Sequence, residues 1–257
     1  MNSKFVSIIM PVYNSERFIA QSIDSVLKQT YKNYELIVID DLSTDNSRDV
    51  IDRYQKKDKR IMPIFKAQNS GSADTRNKGI EKASGNYIAF LDSDDIWDEH
   101  FLEKQLVYMK EKGSVFSFCS YRIIDEEGVE VLKPHIVKPE QVDYKTNLLF
   151  NRVGLLTAIY NADYFGKLYF DVSLKSIRDD YALWLDILKK IPYGYGNPEI
   201  LASFRQRRGS ITYSKKKLFW PHYRMLKNRE KLGIFRSLFY TLHFSYYAWK
   251  KYFFRKR

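Results

Sequence analysis

Apolar residues in the first hundred positions alternate between two periods, one typical of strands and one typical of helices. Four short apolar runs have the length and composition of strands, and they cover residues 5–13, 35–41, 60–67 and 87–91. The intervening segments carry apolar residues at helical spacing, over residues 16–29, 43–57 and 72–83. This alternation predicts an α/β fold with a mostly parallel sheet flanked by helices. Pro63 marks the third run as an edge strand or a bulge.

The pattern is less regular beyond residue 99. Helices are predicted over residues 101–113 and 178–190, and a strand over residues 114–125. Residues 130–175 are ambiguous, with strands expected near 152–160. Trp184 and Leu185 lie in the second of these helices, and such large apolar side chains are expected to pack in the core rather than bind a sugar.

Three of the predicted strands end in groups of mostly polar residues. They are Pro11, Tyr13 and Asn14 at the end of the first strand, Asp40 and Asp41 at the end of the second, and Asp92, Ser93 and Asp94 at the end of the fourth. Ligands of parallel α/β sheets bind at the carboxyl ends of the strands. If the strands are parallel, residues distant in sequence therefore meet in one crevice.

The acidic cluster after the fourth strand needs a compensating positive charge. Asp92, Asp94 and Asp95 lie within four residues, and carboxylates so close repel one another. Their oxygens are hard ligands for Mg²⁺ or Mn²⁺, whose sites keep positions for substrate phosphates. The alternative is a solvated loop or a helix N-cap, which the local pattern alone favours.

Two residues at the ends of the first two strands suit a nucleotide base. Asp40 can accept a hydrogen bond from a base N–H, and the Tyr13 ring can stack on a base for ~1–3 kcal/mol. The sequence contains no Gly-rich phosphate loop, so phosphates would need a metal and basic side chains such as Arg76 and Lys78. Capping of the helix that follows Asp40 is the alternative, with Ser43, Thr44 and Asp45 as its candidate caps.

Charge is distributed unevenly along the chain. The formal net charge of +12 arises from residues 215–257, which hold 13 Lys and Arg residues and a single acidic residue, Glu230. Residues 1–214 are therefore neutral overall, which argues against a nucleic-acid-binding body. The single cysteine, Cys119, excludes an internal disulfide and is expected to be buried. No apolar run reaches ~18 residues, so no transmembrane helix is expected.

The basic tail is predicted to contain an amphipathic helix over residues 233–254. Its aromatic face consists of Phe235, Leu238, Phe239, Leu242, Tyr246, Trp249 and Phe253. The surrounding positive charges are Lys215–Lys217, Arg224, Lys227, Arg229, Lys250, Lys251 and Arg255–Arg257. This combination favours binding to an anionic membrane surface. A helix packed on the body with a solvated basic face, or a nucleic-acid-binding tail, are the alternatives, and nucleic acid is not the expected partner.

Four motifs occur together in order: P-x-Y-N at 11–14, V-x-D-D-x-S-x-D at 38–45, R-N-x-G at 76–79 and F-L-D-x-D-D at 90–95. With "RDDYALWLDIL" (178–188), this combination resembles the family 2 inverting glycosyltransferases over residues 5 to about 212. The resemblance implies the GT-A fold, a Rossmann-like, mixed and mostly parallel sheet flanked by helices. It also implies three segments, a nucleotide-binding half (1–98), an acceptor and catalytic half (99–212) and the tail (213–257).

The resemblance also implies roles for individual residues. Asp40 corresponds to the aspartate that binds the uracil N3–H, Tyr13 to the aromatic residue beside uracil, and Arg76 to the arginine near the phosphates. Asp92 corresponds to the ribose-side aspartate of the D-x-D motif, and Asp94 to its metal ligand. The implied nucleotide-binding set is Pro11, Tyr13, Asn14, Asp40, Arg76, Asp92 and Ser93.

The implied general base lies at the start of the helix predicted over 178–190. Asp180 matches this base, whereas Asp179 stands where the family has Glu, so the identity of the base is open between these two aspartates. Without the resemblance, Asp180 is better explained as a charge that favours a helix N-terminus. Arg207 stands where the family frequently has His, and the role of that His cannot be transferred.

Together these features predict an inverting, Mn²⁺- or Mg²⁺-dependent enzyme that transfers a sugar from a UDP-sugar to a glycan or lipid-linked glycan. The expected context is bacterial capsule or lipopolysaccharide synthesis, in the cytoplasm at the inner face of the cell membrane. Two alternatives remain: a nucleotidyltransferase on a related sheet, which would normally carry a Gly-rich basic loop, and a non-catalytic basic module that binds membranes or nucleic acid.

Overall fold

A computed structural model of the chain describes residues 5–138, 140–175, 177–207 and 218–253, without the side chains of 251–253. The strands within these ranges are β1 Val6–Val12, β2 Tyr34–Asp40, β3 Ile61–Phe65, β4 Tyr87–Phe90, β5 Ile96–Trp97, β6 Phe116–Ile124, β7 Glu130–His135, β8 Gln141–Val142, β9 Ile159–Asn161 and β10 Gly194–Arg205. The α-helices are α1 Ile19–Leu27, α2 Ser47–Lys57, α3 Ser72–Lys82, α4 Phe101–Glu111, α5 Tyr144–Leu149, α6 Ala162–Phe165, α7 Asp179–Lys190, α8 Phe219–Arg224 and α9 Ile234–Phe253.

All these strands belong to one mixed sheet. Its order is β3-β2-β1-β4-β9-β6-β10-β5, with β7 added beside β6 and β8 beside β10. The first four strands are mutually parallel, and β6 is parallel to β10, whereas β9 runs antiparallel between the two groups. The predicted parallel α/β sheet is therefore confirmed, and β3 with Pro63 lies at its edge as expected.

The sheet is central because its strands are apolar on both faces. β1 and β2 are buried at every position. Alternate residues of β1 point to opposite sides, so Ile8 and Met10 pack towards α1, α2 and α4, whereas Ile9 packs towards α3 and α7. Trp184 and Leu185 are fully buried, and so is Cys119, as the sequence predicts.

The structure corrects several predicted boundaries. The strands expected near 152–160 reduce to β9, because Leu155–Thr157 forms a 3₁₀ turn. β10 was not predicted. Its pairing with β6 is interrupted around Pro198, and the same irregularity makes the strand pattern in the sequence harder to detect. The candidate caps of α2 were placed too early, since the helix starts at Ser47 and its N-cap is Asn46.

Two of those candidate caps bind the loop after β1 instead of a helix end. The Ser43 hydroxyl accepts a hydrogen bond from the Asn14 amide, and the Thr44 amide donates to the Asn14 side-chain oxygen. Asp45 retains a role at the helix start, because its carboxylate accepts from the Ser47 amide. The loops after β1 and β2 are therefore connected before the helix begins.

The C-terminal helices pack behind α7. Met225 and Leu226 form a buried cluster with Leu148, Tyr181 and Leu185. Within α9, Phe244 is buried against the rings of Tyr181 and His222, which fixes that face of the helix on the body.

The opposite face of α9 is exposed, and it is the aromatic face that the sequence predicts, from Phe235 (87% exposed) to Trp249. Among the predicted basic residues, Arg224, Lys227 and Lys250 are exposed as well. Arg229 is an exception, because its guanidinium pairs with Asp171, Asp186 and Glu230. Lys215–Lys217 and Arg255–Arg257 lie outside the described residues, as do the side chains of Lys251 and Phe253.

None of the helices within the described ranges is both long enough and apolar enough to cross a lipid bilayer.

Two glycines allow close packing beside β1, and they differ in what surrounds them. A Cβ on Gly85 would lie 2.5 Å from the Ser7 amide nitrogen and 2.8 Å from the Phe5 carbonyl oxygen, which are backbone atoms that cannot yield. A Cβ on Gly79 would meet side-chain methyl groups instead, Cδ1 of Ile39 at 2.6 Å and Cγ2 of Ile9 at 2.7 Å.

We expect Gly85→Ala to destabilise the protein by about 1–3 kcal/mol, the usual cost of overpacking. Gly79→Ala is the comparison, because its neighbours are side-chain methyl groups and alanine gains ~1 kcal/mol of helix propensity in α3, so we expect a smaller loss. Urea unfolding at pH 7 measures both free energies of unfolding. Equal losses in the two variants would contradict this account of the packing.

Candidate active site

The carboxyl ends of β1, β2 and β4 meet at one edge of the sheet. Val12 pairs with Asp40 across β1 and β2, and the Asp41 amide donates to the Val12 carbonyl. On the other side of β1, Phe90 is the last paired residue of β4, two positions before Asp92. The polar residues that follow these strands therefore lie at one edge, as the parallel order requires.

Arg76 joins the strand ends to the start of α7. Its Nη2 lies 2.8 Å from Oδ1 of Asp92, and its Nη1 lies 3.5 Å from Oδ2 of Asp179. The arginine is buried and also packs on the Phe170 ring, 5.4 Å from its centroid. One guanidinium thus neutralises two carboxylates that are 87 positions apart in sequence. Arg76 contacts carboxylates of the predicted site, while Lys78 faces outward and pairs with Glu81.

The other two carboxylates of the cluster contact residues at the end of β10, one through an arginine side chain and one through a backbone amide. Nε of Arg207 lies 2.6 Å from Oδ2 of Asp94. Asp95 is buried and accepts a hydrogen bond from the Arg205 amide. Burial, followed by the charge of Asp94, holds the pKa of Asp95 well above its usual value. Burial and the charge of Asp92 also raise the pKa of Asp94, while Arg207 opposes that rise.

Arg205 was missed in the sequence, although it organises this part of the site. Its buried guanidinium donates to the carbonyls of Asp94, Asp125 and Glu126 and to the side chain of Gln21. These bonds join the loop after β4 to the β6–β7 turn and to α1. A signal was present, because residues 203–212 resemble the family's Y-R-x-H-x-x-S segment with Arg205 as its arginine, but the sequence does not show that this guanidinium binds backbone carbonyls.

The two aspartates at the start of α7 have different environments. Asp179 is buried and belongs to the Arg76 pair, whereas Asp180 is only partly buried. Desolvation, followed by the charge of Asp179, raises the pKa of Asp180 to about 6. The pKa of Asp180 is therefore that of a carboxylate that can take up a proton near neutral pH.

Arg178, the residue before these aspartates, contacts the C-terminal helix. Its guanidinium lies over the Phe244 ring of α9 at 4.5 Å.

The residues predicted at the end of β1 divide into one exposed ring and several connecting side chains. Tyr13 is 50% exposed, so its ring is available for stacking. Asn14 has a positive φ of 47°, and its side chain holds Thr44. Pro11 is buried within β1. The Ser93 hydroxyl lies 2.8 Å from the buried hydroxyl of Ser15, a residue that the sequence did not single out.

Asp40 and Asp41 are both buried and paired with cations. Nε of Arg48 lies 2.6 Å from Oδ2 of Asp40, which also accepts from the Ser43 amide. Asp41 pairs with Lys66 at 2.7 Å and accepts from the amides of Ser70 and Gly71. Asp41 therefore fixes the loop before α3, and Arg48, also missed in the sequence, covers Asp40.

A divalent cation fits this donor set only together with a ligand. No three His, Cys, Asp or Glu side chains converge as a complete metal site within the described ranges. Asp92 and Asp94 are near enough for the charge of one to raise the pKa of the other. Two carboxylates suit Mg²⁺ or Mn²⁺ where substrate phosphates supply further oxygens.

Comparisons with known proteins agree on one family. The family model described as glycosyl transferase family 2 matches residues 7–177. TuaG of Bacillus subtilis, a glycosyltransferase provisionally assigned to teichuronic acid biosynthesis, is 36% identical over 96% of both chains. The UDP-Glc:alpha-D-GlcNAc-diphosphoundecaprenol beta-1,3-glucosyltransferase WfgD of Escherichia coli is 38% identical over 84% of this chain and 82% of its own.

Solved structures share the fold at lower sequence identity. Staphylococcus aureus TarS 1–349 in complex with UDP-GlcNAc superposes with a TM-score of 0.69 and 21% identity, over 88% of this chain and 67% of that one. The mannosyltransferase PcManGT of Pyrobaculum calidifontis, in complex with GDP-Man and Mn²⁺, gives a TM-score of 0.63 at 15% identity, over 93% and 69%. These likenesses support the GT-A architecture of the sheet and its flanking helices.

The Arg76 bridge gives a stability prediction. Arg76→Gln leaves Asp92 and buried Asp179 without their charge partner, so we expect a loss of about 3 kcal/mol in the free energy of unfolding. Lys78→Gln on the same helix is the control, because its exposed pair with Glu81 contributes at most about 0.5 kcal/mol. Urea unfolding at pH 7 measures both, and similar small losses would show that the bridge does not hold these segments together.

Proposed function

The chain belongs to glycosyl transferase family 2 and is a glycosyltransferase, and from this premise we propose its reaction. The enzyme transfers a sugar from a UDP-sugar to a hydroxyl of a lipid-linked glycan, with inversion at the anomeric carbon, in bacterial surface polysaccharide synthesis. The observation that carries the proposal is Asp180, a partly exposed carboxylate with a pKa of about 6, next to the Arg76 bridge at the predicted site.

Asp180 rather than Asp179 is the proposed general base. Asp179 is paired with Arg76, so it positions that arginine, while the Asp180 side chain is partly exposed and can meet an incoming hydroxyl. A hydroxyl is a poor nucleophile until a carboxylate takes its proton. Asp180 takes this proton as the acceptor oxygen attacks the anomeric carbon and the UDP oxygen leaves. A single displacement of this kind converts an α-linked donor into a β-linked product.

The leaving diphosphate is stabilised on the opposite side of the reaction centre. Asp92 and Asp94 would hold the divalent cation, which when bound neutralises the charge that develops on the diphosphate. Arg76 keeps Asp92 in place and adds positive charge near the leaving group. Such interactions accelerate the reaction because they are stronger in the transition state than with the bound donor.

The nucleoside is proposed to bind beside β1 and β2. The exposed Tyr13 ring supplies a stacking surface, and Asp40 supplies the acceptor for the uracil N3–H. Arg48 now covers Asp40, so base binding requires this arginine to move aside or to share the carboxylate. Pro11, Asn14 and Ser93 complete the proposed nucleotide-binding set, and the contacts of Asn14 and Ser93 connect the loops around it.

The three segments of the chain are proposed to have different functions. Residues 1–98 carry the donor nucleotide, residues 99–212 carry the base and the acceptor, and residues 213–257 attach the enzyme to the membrane. The relatives support a lipid-linked acceptor, since the two E. coli relatives WfgD and WfaP are named for glucosyl transfer to a GlcNAc-diphosphoundecaprenol.

The tail is proposed to bind the inner face of the cell membrane, where a lipid-linked acceptor would lie. The exposed aromatic face of α9 and the exposed Arg236 and Lys250 support this proposal. Aromatic side chains enter the headgroup region, and each basic residue near an anionic surface adds ~1 kcal/mol.

The reaction itself is tested with the full chain and a panel of nucleotide sugars, with and without Mn²⁺. We expect UDP-sugars to raise the melting temperature, because a ligand that binds only the folded state stabilises it. We expect β-linked product with a lipid-linked acceptor, and its loss with EDTA or in Asp94→Asn. Undiminished turnover in EDTA would contradict the metal role. Release of pyrophosphate from a nucleoside triphosphate would instead indicate a nucleotidyltransferase.

The raised pKa of Asp180 gives a prediction with a definite sign. Because the folded state holds this proton more tightly than the unfolded chain, stability falls as the pH rises from about 4 to about 6 and is lower above that range. We therefore expect Asp180→Asn to abolish transfer and to gain about 1 kcal/mol of stability at pH 8, a value reduced for partial exposure. We expect wild-type kcat/KM to fall below pH about 6.

Asp179→Asn is the matched control for that experiment. It removes the partner of Arg76, so we expect it to lose stability at the same pH. Urea unfolding at pH 8 and at pH 5 separates the two variants. An Asp180→Asn variant that keeps its activity would reject Asp180 as the base.

The membrane role of α9 is tested with vesicles. We expect the triple variant Phe235→Ser, Phe239→Ser, Trp249→Ser to lose flotation with vesicles that contain phosphatidylglycerol, because it removes the exposed aromatic face. The control is Tyr164→Ser with Val172→Ser, two exposed apolar residues on the body. Wild-type binding is expected to weaken as salt rises. Retained flotation of the triple variant would place membrane binding elsewhere or exclude it.

A further inference from the structure

Two arginines at the end of β10 contact the acidic cluster in different ways. Arg205 is 2% exposed and makes hydrogen bonds to several backbone carbonyls and to Gln21, so it is fixed. Arg207 is one-third exposed along its side chain, and within the described residues its ion-pair partner is Asp94. Its guanidinium also lies over the Phe18 ring, 5.7 Å from the centroid. Arg207 is therefore the arginine that can leave its place with little cost.

The partner of Arg207 is the carboxylate that the proposed function assigns to the metal. The Asp94 side chain is only 15% exposed, and Arg207 covers the oxygen that it contacts at 2.6 Å. A guanidinium and a divalent cation repel each other, and one carboxylate carries a single negative charge. Asp94 alone therefore cannot satisfy both cations. A nucleoside diphosphate adds several negative charges, which allow the two cations to remain together.

We propose that Arg207 protects Asp94 until the donor arrives and then binds the donor diphosphate, so that the divalent cation and the nucleotide bind cooperatively. This inference rests on the proposed function and adds a residue and a binding order to it. The planar guanidinium suits phosphate oxygens as well as it suits a carboxylate, so Arg207 exchanges one charge-assisted contact for another.

The proposal gives two effects of opposite sign. Without nucleotide, Arg207 competes with Mn²⁺ for Asp94, so its removal strengthens Mn²⁺ binding. With Mn²⁺ present, Arg207 binds the diphosphate, so its removal weakens UDP binding. A purely structural arginine would not produce this pair of opposite changes. Coupling between two ligands is reciprocal, so UDP and Mn²⁺ each strengthen the binding of the other in the wild type.

The experiment uses the full chain, with free Mn²⁺ measured by electron paramagnetic resonance and UDP binding measured by calorimetry. We expect Arg207→Gln to bind Mn²⁺ alone about tenfold more tightly and UDP with Mn²⁺ about tenfold more weakly, within the usual range of coupling between ligands. Arg207→Lys keeps the charge without the planar fork, and we expect intermediate values for both affinities.

Arg17→Gln is the matched control. Arg17 lies over the same Phe18 ring, at 5.1 Å, but pairs with Glu126 and Glu127 rather than with Asp94. We expect both affinities of this variant to equal those of the wild type. Melting temperatures of all variants verify that they are folded, which is expected because Arg207 is partly exposed.

The possible results separate this proposal from the function on which it rests. Unchanged Mn²⁺ affinity in Arg207→Gln, beside normal UDP binding by the wild type, would overturn the role of Arg207 alone. Weaker binding of both ligands would also overturn it. A wild type that binds no UDP with or without Mn²⁺ would overturn the proposed function and this inference together.

Discussion

Compensation of clustered carboxylates is the constraint on which this structure depends. Asp92, Asp94 and Asp95 follow one strand, and their mutual repulsion requires positive charge from elsewhere in the chain. Arg76 supplies it from α3 and Arg207 from the residues after β10, while the Arg205 backbone amide hydrogen-bonds Asp95 and its guanidinium binds the Asp94 carbonyl. The bonds that keep the cluster together therefore also attach the first half of the chain to the second.

The same constraint gives two neighbouring aspartates different chemistry. Arg76 is shared with Asp179, which becomes part of the framework, while Asp180 keeps a proton-accepting carboxylate with a raised pKa. Adjacent acidic residues on one helix turn thus differ because Arg76 contacts Asp179 directly and Asp180 is the more exposed of the two. A transferase that activates a hydroxyl needs such a carboxylate, positioned but not neutralised.

The C-terminal helix α9 contacts the helix of the proposed base with one face and exposes its other face to solvent. Phe244 of α9 lies against Arg178, which immediately precedes the two aspartates, and against Tyr181 of the same helix. The other face of α9 exposes its aromatic side chains. The helix that is proposed to bind lipid therefore contacts the helix that carries the proposed base.

The local pattern predicts the parallel sheet and its helices in the first half of the chain, because the periods of two and of 3.6 residues are local properties. The same pattern places Asp40, Asp92 and Asp94 at strand ends, whereas Asp180 is indicated by the resemblance to family 2 glycosyltransferases and not by the helix start alone. The cation that meets each carboxylate depends on contacts between distant segments, which the order of residues does not show. Arg48 has no distinguishing pattern in the sequence, and its pairing with Asp40 appears only in the folded chain. The pairing of Arg207 with Asp94 likewise depends on β10, whose irregular pairing hides it in the sequence. Asp179 and Asp180 could not be told apart for the same reason, because they differ in burial and in the contact of Asp179 with a distant guanidinium.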